Sequence, residues 1–320
     1  MKQQPFLSII ITSFNTERLK DTTELLASLH QDHYPSREIL ISIENYQDYK
    51  TGLETCIKQK DYSDTKIIVN YGKPGISVCR NLGIREAKGD IIAFIDDDAI
   101  PFPNWMQEMV KPYEDNCVLA VTGPAIPLWE DKNVDAWFPQ EFYWIFGCSA
   151  WRGFDNERQV RNVLGANMSF RKEILNRDDL FPQWLGNRKK NEGDKLTTGD
   201  ETELSIRVAN QKGKYIIFSP LVKVHHRVPA SRLRSSYLRH RSYIEGYSKA
   251  IIKKLHKDKY KNSNILATEY SLFGRIVFKL IPSTIINFFV KPAIAYKRMR
   301  VTIISMSAIT IGYLRGNFSR

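Results

Sequence analysis

Ile91–Pro101 reads IIAFIDDDAIP, and the rest of the chain can be placed around it. Ile91, Ile92, Ala93, Phe94 and Ile95 form an unbroken apolar run, the pattern of a strand covered on both faces in a mainly parallel sheet. Asp96, Asp97 and Asp98 follow at once. Carboxylates this close repel one another unless positive charge, most often a divalent metal ion, sits among them. The carboxyl end of a parallel strand is also where an open α/β sheet receives its ligand. Taken alone, the triplet fits an acidic turn closing a core strand equally well, and the flanking sequence decides.

Upstream, apolar runs at Leu7–Thr12, Glu38–Ile43 and Lys66–Asn70 read as strands. Between them Thr16–Gln31 carries Leu19, Leu25, Leu26 and Leu29 at helical spacing, with Thr16 placed to cap it, and Thr51–Lys60 reads as a second helix. Tyr71–Gly75 is a loop by composition, and Ile76–Ala87 a helix that ends before Lys88-Gly89. Strands and helices in this alternation predict βαβ units and a parallel sheet.

Downstream the rhythm loosens. Asn104–Glu114 reads as a helix, Cys117–Thr122 as a strand, and Val163–Phe170 as another. Phe181–Thr198 is polar and reads as a mobile loop; Thr202–Gln211 is helical, and Tyr215–Phe218 and Leu221–His225 are short strands. Pro127–Phe154 is rich in Trp, Phe and Tyr without a clear period.

The composition sets outer limits. With 320 residues, 42% of them hydrophobic, the chain can bury a substantial core and is not disordered. Cys56, Cys79, Cys117 and Cys148 contain no CxxC pair, so they read as reduced thiols of a cytosolic protein, not a disulfide framework or a zinc site. MKQQPFLSIII leads directly into a strand, with no signal-peptide pattern. The net charge of +12 is uneven: Val222–Arg320 holds 20 Lys and Arg against Glu245, Asp258 and Glu269, a net +17 that leaves −5 for the rest. A basic end on a slightly acidic body points to an anionic surface as partner.

Five segments in order, SIIITSFN at Ser8–Asn15, GISVCRNLGIREAKGDIIAFIDDDAIP at Gly75–Pro101, GANMSFRKEIL at Gly165–Leu175, TGDETELSIRV at Thr198–Val208 and PLVKVHH at Pro220–His226, resemble the inverting nucleotide-sugar glycosyltransferases of family 2. The likeness runs from about Leu7 to about Lys249 and implies a GT-A type fold, a mixed and mostly parallel sheet flanked by helices. A catalytic domain is expected over 1–230 and a basic helical extension over 231–320.

The resemblance also implies roles. Asp98 would bind Mn²⁺ or Mg²⁺ bridging the donor diphosphate, with Asp96 on the ribose or in the metal shell and Asp97 either among the residues binding the nucleotide sugar or only holding the turn. His226, rather than His225, matches a family histidine that reaches the metal or diphosphate. Thr12, Ser13 and Asn15 would meet the nucleotide, and Arg80 and Asn81 would lie beside its base. Glu44 stands where the family usually has an acidic pair followed by Gly-Ser, so the identity of the base is left open. Catalysis by inversion needs one carboxylate to take the proton of the attacking hydroxyl. Glu201 aligns with that base, usually an Asp, and Asp200 is the alternative. Trp129, Trp137, Trp144 and Trp151 fit either an acceptor platform or packing.

Beyond Ser231 the likeness fades. RLRSSYLRHRSYIEGYSKAIIKKLHKDKYK mixes cations with Leu, Tyr and Ile at helical spacing, the pattern of a helix lying on an anionic bilayer. Ile276–Ala295, broken by Lys279, Pro282 and Lys291, and Val301–Leu314, short of a span, read as interfacial or re-entrant helices. The expected enzyme is peripheral on the inner face of the cell membrane, using a nucleotide-diphospho-sugar donor and a glycan or lipid-linked acceptor. A non-catalytic membrane-surface binding protein on the same fold is the alternative. The tail carries no nucleic-acid recognition motif, and nucleic acid is not expected as a partner.

Overall fold

The computed structural model describes residues 4–13, 16–149, 155–175, 180–186, 197–209, 213–257 and 265–319. The chain divides into two compact units, one of Met1–Ile126, Phe154–Leu196 and Asp200–His226, the other of Pro127–Gly153, Thr197–Gly199 and Arg227–Arg320.

The first unit opens with β1 (Leu7–Ser13), α1 (Leu19–Gln31), β2 (Arg37–Glu44), α2 (Gln47–Lys60), β3 (Thr65–Asn70), α3 (Ile76–Glu86) and β4 (Ile91–Asp96). After these come β5 (Ala99–Pro101), α4 (Trp105–Val110), β6 (Val118–Thr122) and β7 (Ala125–Trp129), whose last three residues belong to the second unit. Then follow β8 (Arg158–Val160), β9 (Asn167–Arg171), α5 (Lys172–Leu175), α6 (Asp200–Ala209), β10 (Tyr215–Phe218) and β11 (Val224–Val228). The main sheet has the order β3-β2-β1-β4-β9-β6-β10-β8, and a second, three-stranded sheet the order β5-β11-β7. β3, β2, β1 and β4 are parallel, while β9 runs antiparallel to β4 and β6.

Both faces of the parallel strands are covered, which is why their sequences are apolar without alternation. Ile9, Ile11, Ala93 and Ile95 pack with Leu25, Leu29 and Trp105 on one side of the sheet. Ile10, Ile92 and Phe94 pack with Ile84, Phe170 and Leu204 on the other. Several sequence expectations shift, among them the helix expected over Thr202–Gln211, which starts at Asp200, and that over Asn104–Glu114, which is α-helical only over Trp105–Val110. Thr16–Arg18 forms a single 3₁₀ turn, and α1 starts at Leu19 with no side-chain cap from Thr16. Helix α2 starts four residues early, at Gln47. The strand expected from Val163 begins only at Asn167, whose N–H donates to Leu164 O (3.0 Å) in a turn. The strand expected from Leu221 begins at Val224, because Lys223 N–H closes a turn on Leu221 O (2.9 Å). Most of the loop expected over Phe181–Thr198 lies outside the described residues.

The second unit contains α7 (Ser235–His256), α8 (Ala267–Arg275), a π-helical turn (Ile276–Leu280), α9 (Ile281–Asn287) and α10 (Pro292–Phe318). Helices α7 and α10 run parallel: Arg300 donates to Ser235 Oγ at the start of α7, and Lys254 Nζ donates to Gly316 O (3.1 Å) near the ends of both. Their backbones approach so closely that a Cβ on Gly246 would lie 2.1 Å from Ile309 O, and one on Gly312 2.1 Å from Tyr243 O. Trp129 packs edge-on against Tyr143 and Phe146 in an aromatic cluster and donates to Asp135, so this tryptophan serves packing. Trp151 lies outside the described residues. Among the described residues no helix is long and apolar enough to cross a membrane.

Candidate active site

The parallel register sets Thr12 opposite Asp96, so the ends of β1 and β4 deliver Thr12, Ser13 and the three aspartates to one place. β5 leaves the third aspartate and pairs antiparallel with β11, aligning Ala99 with His226 and Ile100 with His225. Side chains alternate along a strand, so only one histidine can face the carboxylates. His226 Nε2 lies 3.2 Å from an Asp98 oxygen and 3.6 Å from an Asp96 oxygen. His225 packs its ring on Phe102, and burial lowers its pKa.

One ligand atom each from Asp96, Asp98 and His226 falls within 4.8 Å of the others. Two hard oxygens and an imidazole nitrogen form a donor set that fits a divalent ion. Asp98 and His226 are buried, while the Asp96 side chain keeps 27% of its surface open, so the set has one wet side where further oxygens could complete a shell.

The sequence did not single out Arg18. Its Nη1 donates to Asp97 Oδ1 (2.7 Å) and also to Asp98 Oδ2. Burial opposes the charge on Arg18, yet Asp97 and Asp98 outweigh that and raise its pKa. Asp97 further accepts from Ser13 Oγ (2.5 Å) and is almost fully enclosed; burial pushes its carboxyl up to about 7 against the pull of Arg18. The two oxygens of Asp98 are thus divided, Oδ2 toward Arg18 and Oδ1 toward His226.

A second buried cation stands on α3. Arg80 Nη1 donates to Asp200 Oδ2 (2.8 Å), its Nη2 lies 3.8 Å from Asp96 Oδ1, and its guanidinium stacks 5.4 Å from the Phe181 ring centre. Burial disfavours the charge, but Asp200, Asp96 and Glu201 overcome this and raise the Arg80 pKa. Ser77 Oγ approaches both Leu185 O (2.7 Å) and Asp200 Oδ2 (3.1 Å). Asp200 is therefore sealed at the start of α6 among fixed partners. Glu201, the next residue, is only partly buried, and its Oε1 accepts from Thr202 Oγ1 (3.3 Å). Its Cγ and Arg80 Nη2 flank Gly165 at 3.9 and 3.1 Å from where a Cβ would stand, so Gly165 keeps that corner open.

Glu44 and Asn81 are engaged with the chain. Glu44 accepts from Asn70 Nδ2 (3.1 Å) and from Gly75 N–H (2.8 Å), tying down the loop between β3 and α3. Asn81 exchanges two hydrogen bonds with the Phe181 backbone, at 2.8 and 3.0 Å. Asn15 lies outside the described residues.

A family model, "Glycosyl transferase family 2", matches residues 8–178. The chain belongs to that family: it is a glycosyltransferase acting on nucleotide sugars. A curated relative, the glucosyl-dolichyl phosphate glucuronosyltransferase of Haloferax volcanii, is 28% identical over 316 residues, covering 97% of this chain and 96% of its own. Among solved structures, a mannosyltransferase from Pyrobaculum calidifontis in complex with GDP-Man and Mn²⁺ superposes with a TM-score of 0.61 at 18% identity, over 99% of this chain and 88% of its own. GalNAc-T7 with UDP, GalNAc and Mn²⁺ gives a TM-score of 0.56 at 16% identity, over 85% of this chain and 52% of that one. These likenesses show the GT-A fold.

Proposed function

We propose that this chain is a metal-dependent, inverting glycosyltransferase that moves a sugar from a nucleotide-diphospho-sugar to a lipid-linked acceptor at an anionic membrane surface, the inner face of the cell membrane. The convergence of Asp96, Asp98 and His226 at the end of β4 is the observation that carries it. These residues would hold a Mn²⁺ or Mg²⁺ ion, which when bound neutralises the diphosphate and makes it a better leaving group.

The remaining work falls to the chain. Thr12 and Ser13 bound the nucleotide where β1 ends, and Glu44 stands at the end of the neighbouring β2. Arg80 holds Asp200 and braces Asp96, fixing the start of α6 relative to the metal corner. Glu201, on the same turn of helix and open on one side, takes the proton of the acceptor hydroxyl as it attacks opposite the departing diphosphate. Asp200, engaged by Arg80 and Ser77, positions that turn. The lipid-linked acceptor is supported by the Haloferax relative, whose name specifies a dolichyl phosphate-linked sugar. The membrane is supported by the basic, exposed apolar C-terminal chain.

The test is sugar transfer to a polyprenyl-phosphate-linked sugar from a panel of UDP, GDP, dTDP and CDP donors, with Mn²⁺ and with chelator. Transfer with inversion at the anomeric carbon, lost on chelation, is expected. Metal-independent transfer, or retention of configuration, would refute the reading.

A further inference from the structure

The chain from Tyr270 to Arg320 contains no Asp or Glu, yet holds Arg275, Lys279, Lys291, Lys297, Arg298, Arg300, Arg315 and Arg320. The same stretch exposes large apolar side chains. Phe289 is 89% exposed, Phe278 79%, Val290 68% and Ile286 66%. These do not scatter. Phe278 stands in the π-helical turn, Pro282, Ile285 and Ile286 on α9 and Phe289 in the turn that follows it, so exposed apolar groups form one stripe along this segment. Ile276, Leu280 and Thr284 form the opposite, buried side. The stripe ends at the bend Phe288–Lys291 between α9 and α10, with Lys279 and Lys291 exposed at its borders.

An apolar ridge of this size in water marks a contact surface. Its charge selects the occupant. A second copy of this chain would bring like cations face to face, whereas an anionic bilayer offers hydrocarbon for the aromatic groups and phosphates for the lysines, whose stems can snorkel. No helix among the described residues is long and apolar enough to span, so the contact is interfacial.

We propose that the α9–α10 knuckle is the membrane-inserting element. Phe278, Ile285, Ile286, Phe289 and Val290 enter the acyl boundary of an anionic leaflet, and Lys279 and Lys291 rest on its headgroups. This rests on the membrane-surface reading above and identifies the segment responsible.

The full-length protein is sedimented with phosphatidylcholine vesicles prepared with and without phosphatidylglycerol. Phe278→Ser with Phe289→Ser should weaken partitioning to both by about tenfold or more, since each ring loses its transfer from water. Lys279→Gln with Lys291→Gln should weaken it about tenfold on the anionic vesicles alone. Both pairs are exposed, so the melting temperature should not change. If the wild type sediments and the double serine variant sediments equally well, the knuckle is overturned while the membrane reading stands. Should the wild type bind neither vesicle, both fall. If it is instead a dimer that the serine variant dissolves, the occupant is a second copy and the proposal is wrong.

Discussion

Asp200 and Glu201 are adjacent carboxylates at the start of α6, and their different burial makes the roles proposed for them testable. Replacing Asp200 with Asn keeps the shape and an acceptor for Ser77 but removes the charge 2.8 Å from Arg80 Nη1. Removing one partner of a buried pair costs about 3–5 kcal/mol. Arg80 retains Asp96 as a counter-charge at 3.8 Å, so the lower end applies, about 3 kcal/mol. For a chain of 320 residues that corresponds to a fall in Tm of roughly 4–5 °C. Glu201→Gln changes a partly exposed, isosteric group, and its stability effect should stay within about 1 kcal/mol. Its effect on turnover should be large, a loss of about 10²–10⁴-fold for a missing general base. The assay is calorimetric melting of both variants beside initial rates of sugar transfer at saturating donor and Mn²⁺. A D200N protein that melts like wild type yet transfers no sugar, with E201Q still active, would reverse the two assignments and refute the argument from burial.

Three further outcomes are expected. Asp98→Ala and His226→Ala should each abolish the extra thermal stabilisation that Mn²⁺ adds to bound nucleotide; stabilisation equal to wild type would remove the residue from the metal set. Arg18→Ala leaves Asp97 and Asp98 without their shared partner, so the metal-free protein should lose about 3 kcal/mol in denaturant melts. Mn²⁺ should restore part of that loss, and a variant as stable as wild type would show that the pair contributes nothing. Gly246→Ala places a Cβ 2.1 Å from Ile309 O and must push α7 from α10, costing about 1–3 kcal/mol and raising hydrogen exchange in both helices. Unchanged exchange would mean the helices do not meet as described.

The parallel half of the sheet was legible because its signal is local and strong. Ile91–Ile95 and Leu7–Thr12 are apolar on both faces, so neither the strands nor their parallel order depended on distant information. Asp96 and Asp98 were legible for the same reason, standing at the end of such a strand. The preference for His226 over His225 came from the family resemblance alone, and its physical reason, the register of β5 with β11, is a long-range pairing. Arg18 was not legible at all. It sits in a 3₁₀ turn that the helical spacing read as the first turn of α1, and its partners are some eighty positions away. The aromatic stretch Pro127–Phe154 resisted for another reason: its 3₁₀ segments have no period of 3.6 or 2, and its order comes from ring-on-ring packing.

The three aspartates pose a single electrostatic problem with two different answers on its two sides. Asp97 points into the protein, where Ser13 and Arg18 satisfy it permanently; this is a structural solution, made from the chain's own charge. Asp96 is the more open of the three and shares long contacts with Arg80 (3.8 Å) and His226 (3.6 Å). Asp98 stands between, giving one oxygen to Arg18 and turning the other toward His226. On the proposed reading, a cation beside Asp96 would meet an Asp98 carboxylate already oriented, its Oδ1 toward His226 and its Oδ2 held by Arg18. Arg18 makes the acidic corner tolerable in the fold without neutralising the side that faces the ligand. The same arrangement keeps Asp98 from turning both oxygens toward Asp96 and His226, so on the proposed reading it would offer a divalent ion a single oxygen.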